Sequence, residues 1–397
     1  MFMKFSKRAS SIKTSEIREI LKLIENPEII SFAGGLPAPE LFPKEEIIKL
    51  TAEVINNEGN EALQYGTTEG YNPLRKAILE QRLNPFGITG TIDNILITSG
   101  SQQGLDFTGK LFIDKDDVII VEKPSYLGAI NAFRVYEAQF VEVSMDKDGM
   151  VIEELEEKLK LYPNAKFIYT IPDFHNPSGI TMSLERRKQL ADIASKYKVP
   201  VLEDSPYGEL VLEGEKLPPI KSFDTDGYVI YFGTFSKTFC PGLRLGWIFG
   251  DEKVINKYVT LKQSSDLQCS SLDQRIIAYY LNNYNLDNHI EKIKNVYKRR
   301  RDLMFDCMDE FLPKEIKYTR SKGGLFTWLE LRQDIDTVKL LEEALKFNVA
   351  FVPGSSFFAN GGHNNYLRLN YSNMPEDKIV EGIKRLSRLL KEYYKES

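Results

Sequence analysis

Hydrophobic positions along this chain change their period from one region to the next. Residues 10–25 carry Ile17, Ile20, Leu21 and Ile24 at helical spacing, with Thr14 or Ser15 as N-cap, which predicts an amphipathic helix. Pro43-Lys44-Glu45-Glu46 starts a second helix expected to reach about Asn57, and Asn72-Pro73 starts another. From about Asn94 to Gly250 the pattern becomes short apolar runs: Ile95-Leu96-Ile97, Val118-Ile119-Ile120-Val121, Phe167-Ile168-Tyr169, Val201-Leu202 and Val229-Ile230-Tyr231-Phe232. Such runs, alternating with helical stretches, predict a mostly parallel α/β sheet sandwiched by helices. Leu245–Gly250 reads as a returning strand, and a mostly helical section follows Asp251 as far as Cys307. Lys322–Glu330, Val349–Phe358 and Asn365–Tyr371 read as parts of a smaller α+β domain. The expected organisation is an N-terminal segment (1–50) that joins the small domain and covers the site, a large domain (51–285) and a small C-terminal domain (286–397).

Polar side chains stand where these apolar runs end, and open α/β sheets bind ligands at those ends. Lys237 lies between Phe235 and Phe239. Burying its ammonium is costly unless it is paired or loses its proton, and a neutral amine condenses with an aldehyde. Ser236 and Arg244 flank it as a hydroxyl donor and a planar fork for an anion. An aldehyde and a phosphate on one ligand describe pyridoxal 5'-phosphate; from spacing alone, a surface lysine before a Pro241-Gly242 turn is an equal reading. Gly100-Ser101-Gln102, between a strand and a helix, presents free N–H groups to a phosphate. Asp204 closes a buried strand, where a carboxylate needs a cation such as a protonated pyridine nitrogen; a capping aspartate is the plainer reading. Strand alternation sends the rival Glu203 to the opposite face. Arg368, in an alternating strand, calls for a carboxylate, with a rim salt bridge as the alternative. Gly34-Gly35 allows close backbone approach to a ligand. Arg18, near a helix N-terminus, opposes the helix dipole and so suggests a role beyond helix stability, although from spacing alone a solvated arginine on the polar face is the plainer reading.

The run Ser236-Lys237-x-x-x-Pro241-Gly242-x-Arg244-x-Gly246 resembles the lysine segment of the class I/II (fold type I) aminotransferases that depend on pyridoxal 5'-phosphate. Other elements of that family follow in order: Tyr65-x-x-x-x-Gly70-x-x-x-Leu74-Arg75, Ser99-Gly100-Ser101, Pro124-Ser125-Tyr126, Asn176-Pro177-Ser178-Gly179 and Asp204-Ser205-Pro206-Tyr207. The resemblance covers nearly the whole chain. It implies a fold type I architecture with a seven-stranded-type sheet. It implies that Lys237 carries the cofactor as a Schiff base and moves the substrate's α-proton. Ser236, Arg244, Gly100, Ser101 and Gln102 would hold the phosphate, and Tyr126 would stack on the ring. Asn176 and Tyr207 would bond the ring oxygen, and Asp204 the ring nitrogen. Arg368 and the Gly35 backbone would take the substrate carboxylate. Tyr65 would reach the phosphate of a neighbouring subunit, making the protein a homodimer with shared sites. His175, beside Asn176, is one of three histidines and reads as a non-catalytic neighbour.

The implied reaction moves an amino group between an L-amino acid and a 2-oxo acid by two half-reactions in one site. The segment from Thr14 to Phe42 resembles the 2-aminoadipate aminotransferases, with the aromatic and kynurenine-type enzymes as near relatives. In the aminoadipate enzymes an arginine at the position of Arg18 meets an acidic side chain. Glutamate/2-oxoglutarate is therefore the expected donor pair, with 2-aminoadipate, aromatic or branched-chain amino acids as the other partner. Two other classes use the same motifs: a lyase or decarboxylase, and a regulatory domain fused to a DNA-binding module, against which the lack of a basic N-terminal helix-turn-helix argues.

Composition narrows the setting further. The chain has 397 residues, 42% hydrophobic and 27% charged, with a net charge of −5 and mean hydropathy −0.31. Its lysines and arginines are scattered, so neither a nucleic-acid stripe nor a polybasic membrane patch is present. No apolar run approaches the roughly 18 residues of a membrane span, and the first residues do not read as a signal peptide. Cys240, Cys269 and Cys307 are too widely spaced for a zinc site, and their odd number speaks against a disulfide framework; the expected setting is a reducing cytoplasm, without a metal.

Overall fold

The computed structural model describes residues 3–6 and 28–395; the helix expected over 10–25, and Arg18 with it, lie outside the described residues. After β1 (Ile30–Ser31) come the strands of the main sheet: β2 (Ile95–Thr98), β3 (Val118–Lys123), β4 (Gln139–Asp146), β5 (Gly149–Met150), β6 (Ile168–Thr170), β7 (Val201–Asp204), β8 (Val229–Thr234) and β9 (Gly246–Phe249). Their order is β2-β9-β8-β7-β6-β3-β4-β5. Strands β8, β7, β6, β3 and β4 run parallel, whereas β9 lies antiparallel between β2 and β8. These seven strands form the expected sheet, and the eighth, β5, is a two-residue return on the edge of β4. β4 itself was not anticipated. All its residues but Val143 keep some exposure, because a strand at the sheet's edge needs no uninterrupted apolar run.

Alternation distributes each strand between two cores. In β7, Val201 packs with Ile120, Leu190 and Val229, while Leu202 packs with Phe133, Tyr169 and Phe232 on the other face. The same parity separates Glu203 from Asp204. The section expected to be broadly helical after Asp251 resolves into helices Glu252–Gln263, Ser271–Asn283 and Leu286–Phe311. Ser270 and Asn285 cap the second and third, each accepting from a backbone N–H three residues on. The helix that begins at Lys44 runs past Asn57 to Ala62, with a non-helical φ of −134° at Glu58. The Glu58 carboxylate accepts from Tyr279 Oη at 2.6 Å, Arg275 Nε at 2.9 Å and Tyr71 Oη at 3.1 Å. Those three bonds account for the helix continuing through an unfavourable backbone angle.

Beyond the main sheet are β10 (Lys317–Tyr318), β11 (Phe326–Glu330), β12 (Val349–Ala350), β13 (Val352–Pro353) and β14 (Tyr366–Asn370). Four of them make an antiparallel sheet, β10-β11-β14-β13, and β12 pairs in parallel with β1. The chain from Ile30 to Leu36 is stitched across these strands. Phe32 N–H donates to the Ala350 carbonyl and Asn370 N–H to the Phe32 carbonyl, both at 2.8 Å. Four residues on, Ser372 Oγ donates to the Leu36 carbonyl at 2.8 Å. Ala33, Gly34 and Gly35 are thereby held against the carboxyl ends of the main sheet.

Candidate active site

A cavity of about 280 Å³ opens at the ends of β7 and β8, beneath the Ala33–Gly35 segment. Lys237 sits on the loop after β8, half-buried, and its Nζ donates to the Gly35 carbonyl at 2.8 Å. Burial penalises the ammonium, and the guanidiniums of Arg368 and Arg244 add repulsion, so its pKa falls to about 8. A lysine so placed sheds its proton near neutrality.

Asp204 ends β7 and is buried. Its Oδ2 accepts from Tyr169 Oη at 2.8 Å, while Oδ1 is buried without a partner. Burial pushes the carboxyl up to about 6, opposed by the tyrosine's hydrogen bond. Glu203 points away, its two oxygens each accepting at 2.8 Å from Ile220 N–H and Lys221 N–H. It fastens the loop at Ile220 and has no place in the cavity.

Asn176 and Arg368 arrive from opposite sides. Arg368, on β14, donates from Nη1 to Asn176 Oδ1 at 2.6 Å and from Nη2 to the Ala33 carbonyl at 2.7 Å. Its guanidinium lies 4.1 Å from the Phe326 ring centre and 5.1 Å from that of Phe357, and Nε is buried without a partner. Burial lowers its pKa to about 10. A guanidinium held so dry between two rings is set for a carboxylate. Tyr207 Oη lies 3.5 Å from Asn176 Nδ2, placing two side-chain donors at one point of the wall. His175 turns away into a buried network, with Nδ1 2.8 Å from Ser178 Oγ and Nε2 3.2 Å from Glu122 Oε2.

The other end of the cavity is an anion cradle. Gly100 caps the Ser101–Phe112 helix at φ +74°, and a Cβ there would come 2.6 Å from Arg244 Nη2. Only glycine lets the guanidinium reach the helix N-terminus, where the first-turn N–H groups lack helical partners. Ser101 Oγ is buried without a partner, and Ser236 Oγ accepts from Thr234 Oγ1 at 3.0 Å, which leaves its own proton to donate. Gln102 Nε2 donates to the Gly128 carbonyl at 3.0 Å. Tyr126 folds over Gly128, where a Cβ would meet the ring at 2.5 Å, and forms one wall.

Gly35, Ser101, Gln102, Tyr126, Asn176, Asp204, Tyr207, Ser236, Lys237, Arg244 and Arg368 thus line one cavity, with Gly100 behind Arg244. Tyr65 does not join them: it is 79% exposed, on the loop after the Lys44–Ala62 helix. Thr234, Pro206, Leu105 and Ile171 also line the cavity. They escape sequence reasoning because apolar and small residues carry no chemical signature. Tyr169 escapes it too, since a tyrosine inside an apolar run reads as core. The residues fit pyridoxal 5'-phosphate on structural grounds. They offer an amine of lowered pKa, an unpaired carboxylate oxygen for a ring nitrogen, a tyrosine wall for the ring and a cradle of donors for the phosphate.

Residues 29–386 match the family model described as aminotransferase class I and II. The chain is 48% identical over 395 residues to aromatic-amino-acid aminotransferase 1 of Thermococcus litoralis, covering 98% of this chain and 95% of that one. It is 42% identical over 390 residues to 2-aminoadipate transaminase of Thermus thermophilus, covering 98% and 96%. Among solved structures it resembles the kynurenine aminotransferase of Pyrococcus horikoshii at TM-score 0.94 and 46% identity, covering 98% and 97%. With that match spanning sheet, cradle and lysine alike, the chain belongs to the class I and II aminotransferases and is a transaminase dependent on pyridoxal 5'-phosphate.

Proposed function

We propose that the enzyme transfers the amino group of L-glutamate to a second 2-oxo acid and back, the second partner being the 2-aminoadipate, aromatic or branched-chain amino acid. One observation carries the residue roles: an amine of lowered pKa, an unpaired carboxylate oxygen and a dry guanidinium border the same cavity. The bound cofactor supplies an aldehyde for the amino group and a ring that accepts electrons from the substrate's α-carbon. Lys237 would hold the cofactor through Nζ, and the freed Nζ would serve as the general base that takes and returns the substrate's α-proton. Asp204 Oδ1 would hold the proton of the ring nitrogen, Asn176 and Tyr207 would bond the ring oxygen, and Tyr126 would cover the ring. Ser101, Gln102, Ser236 and Arg244 would hold the phosphate. Arg368 pairs with the α-carboxylate, helped by the backbone at Gly35. Both half-reactions use one site, so initial rates follow ping-pong kinetics.

The choice of substrates rests on the similarity to the aromatic-amino-acid and 2-aminoadipate enzymes and on Arg18 as the partner of an acidic side chain. A homodimer with Tyr65 reaching the partner's phosphate is supported by the apolar exposure on one stretch: Ile48 at 71%, Leu63 at 73% and Tyr65 at 79%. We read residues 51–285 as the large domain and 286–397 as the small one, joined by residues 1–50. Cytoplasmic residence is supported by three free, buried cysteines. Among the described residues no helix is long and apolar enough to cross a membrane.

The test is spectroscopic. Glutamate or 2-aminoadipate added without any oxo acid should convert the lysine-bound cofactor band to the amine form, and 2-oxoglutarate should restore it. Arg18→Ala should weaken acidic substrates selectively. Mixing Lys237→Ala with Tyr65→Ala should regain activity if each site draws on two chains. A band that no amino acid converts would overturn the substrate assignment.

A further inference from the structure

The two oxygens of Asp204 have different surroundings. Oδ1 is buried without a partner, whereas Oδ2 accepts from Tyr169 Oη at 2.8 Å. Tyr169 is fully buried on β6, one strand away. Its ring packs edge-to-face on Phe133, with centroids 5.8 Å apart at 75°, and Phe133 packs in turn on Phe167 at 5.0 Å. Apolar packing therefore aims the phenol at the carboxylate. Tyr169 is absent from the cavity wall, and none of the roles above uses it.

We infer that Tyr169 is a positioning residue that keeps Asp204 ionised, so that the proton between Asp204 and the cofactor stays on the ring nitrogen. The inference rests on the reading that Asp204 Oδ1 meets that nitrogen. A buried carboxylate beside a protonated pyridine competes with its neutral isomer, in which the proton has moved to the carboxyl. Burial favours the neutral pair, and the ring then loses its power to accept electrons. A phenol donating to Oδ2 stabilises the carboxylate far more than the carboxylic acid, and so tips the proton toward the ring. The other groups facing Asp204 do not replace it. Tyr126 and Tyr207, from the loops after β3 and β7, approach it without a hydrogen bond, as Glu122 on β3 approaches Tyr169. Lys237, Arg244 and Arg368 border the cavity beyond it. Among the described residues, the Tyr169 bond is the one side-chain hydrogen bond that opposes burial at this carboxyl.

Tyr169→Phe tests this, because phenylalanine keeps the ring and its packing and removes only the donor. Loss of a charge-assisted hydrogen bond should move the proton distribution by about 10- to 100-fold toward Asp204. With the ring nitrogen of the cofactor isotope-labelled, its resonance in the loaded wild type should be that of a pyridinium and in Tyr169→Phe should move toward neutral pyridine. kcat should fall while KM for the amino acid stays within about twofold, since Arg368 and Asn176 are untouched. In an Asp204→Asn background the substitution should do nothing further. In the cofactor-free protein, infrared difference spectra against Asp204→Asn should show the Asp204 carboxyl protonated to higher pH, a readout that stands even if the variant loads poorly. A pyridinium resonance unchanged by Tyr169→Phe, or an equal loss of kcat in the Asp204→Asn background, overturns the role of Tyr169. A wild-type resonance that Asp204→Asn also leaves unmoved instead overturns the pairing of Asp204 with the ring.

Discussion

Replacing Lys237 by methionine should stabilise the cofactor-free protein while abolishing its chemistry. The lysine's named neighbours are the Gly35 carbonyl and two guanidiniums, so its ammonium is held at a cost. A fall from 10.5 to about 8 corresponds to about 3.5 kcal/mol at roughly 1.4 kcal/mol per pKa unit. Because Lys237 is half-buried and Nζ borders a water-accessible cavity, about 2–3 kcal/mol is the effect to expect. The sign follows from linkage. A lysine whose folded pKa is depressed binds fewer protons folded than unfolded between the two pKa values, so stability rises with pH through that window. The penalty is complete below about pH 8 and gone above about pH 10.5. Methionine has similar length and no charge to desolvate. Urea unfolding of the two cofactor-free proteins should therefore differ by about 2–3 kcal/mol in favour of Lys237→Met near pH 7, and by less than about 1 kcal/mol near pH 10. Titrating groups remote from Lys237 cancel in the difference. A variant less stable at pH 7, or a difference that does not change with pH, would refute the claim that burial primes this amine.

Arg368→Leu removes the proposed partner of the α-carboxylate, which every amino acid shares. KM should rise about 100- to 1,000-fold for acidic, aromatic and branched substrates alike, whereas Arg18→Ala should act on acidic ones alone; steady-state kinetics over a substrate panel separates the two. Gly100→Ala puts a Cβ 2.6 Å from Arg244 Nη2 at a φ of +74°, so cofactor affinity should drop about 10- to 100-fold. Equilibrium titration with pyridoxal 5'-phosphate reads that loss, and circular dichroism checks that the fold is kept.

How much of this was legible beforehand depended on how unusual each residue is in its setting. Lys237, Asp204 and Arg368 stand out because ionisable groups at the ends of apolar runs are costly. Alternation alone separated Asp204 from Glu203, and the structure gives Glu203 two backbone donors well away from the cavity. β4 stayed hidden because it lies at the sheet edge, where solvent dilutes the apolar pattern. Tyr169 stayed hidden for the opposite reason: it looks like core, and its partner is 35 residues away in sequence. The end of the first described helix was set too early because Glu58 is held by side chains more than 200 residues further on, Arg275 and Tyr279. Tyr65 was singled out by a motif, yet within one chain its side chain faces outward.

The stretch from Phe32 to Leu36 is pinned at both ends to one short piece of chain, by Asn370 and Ser372. Between those pins the Ala33 and Gly35 carbonyls hold the donors of Arg368 and Lys237. The span works as a ruler whose length is set by the spacing of the pins. Deleting or inserting one residue between them leaves both anchors able to form but slides each oxygen off its donor. The active site is therefore intolerant of length change between the two pins, as well as of bulk at Gly35, where a Cβ would come 3.1 Å from the Phe326 ring.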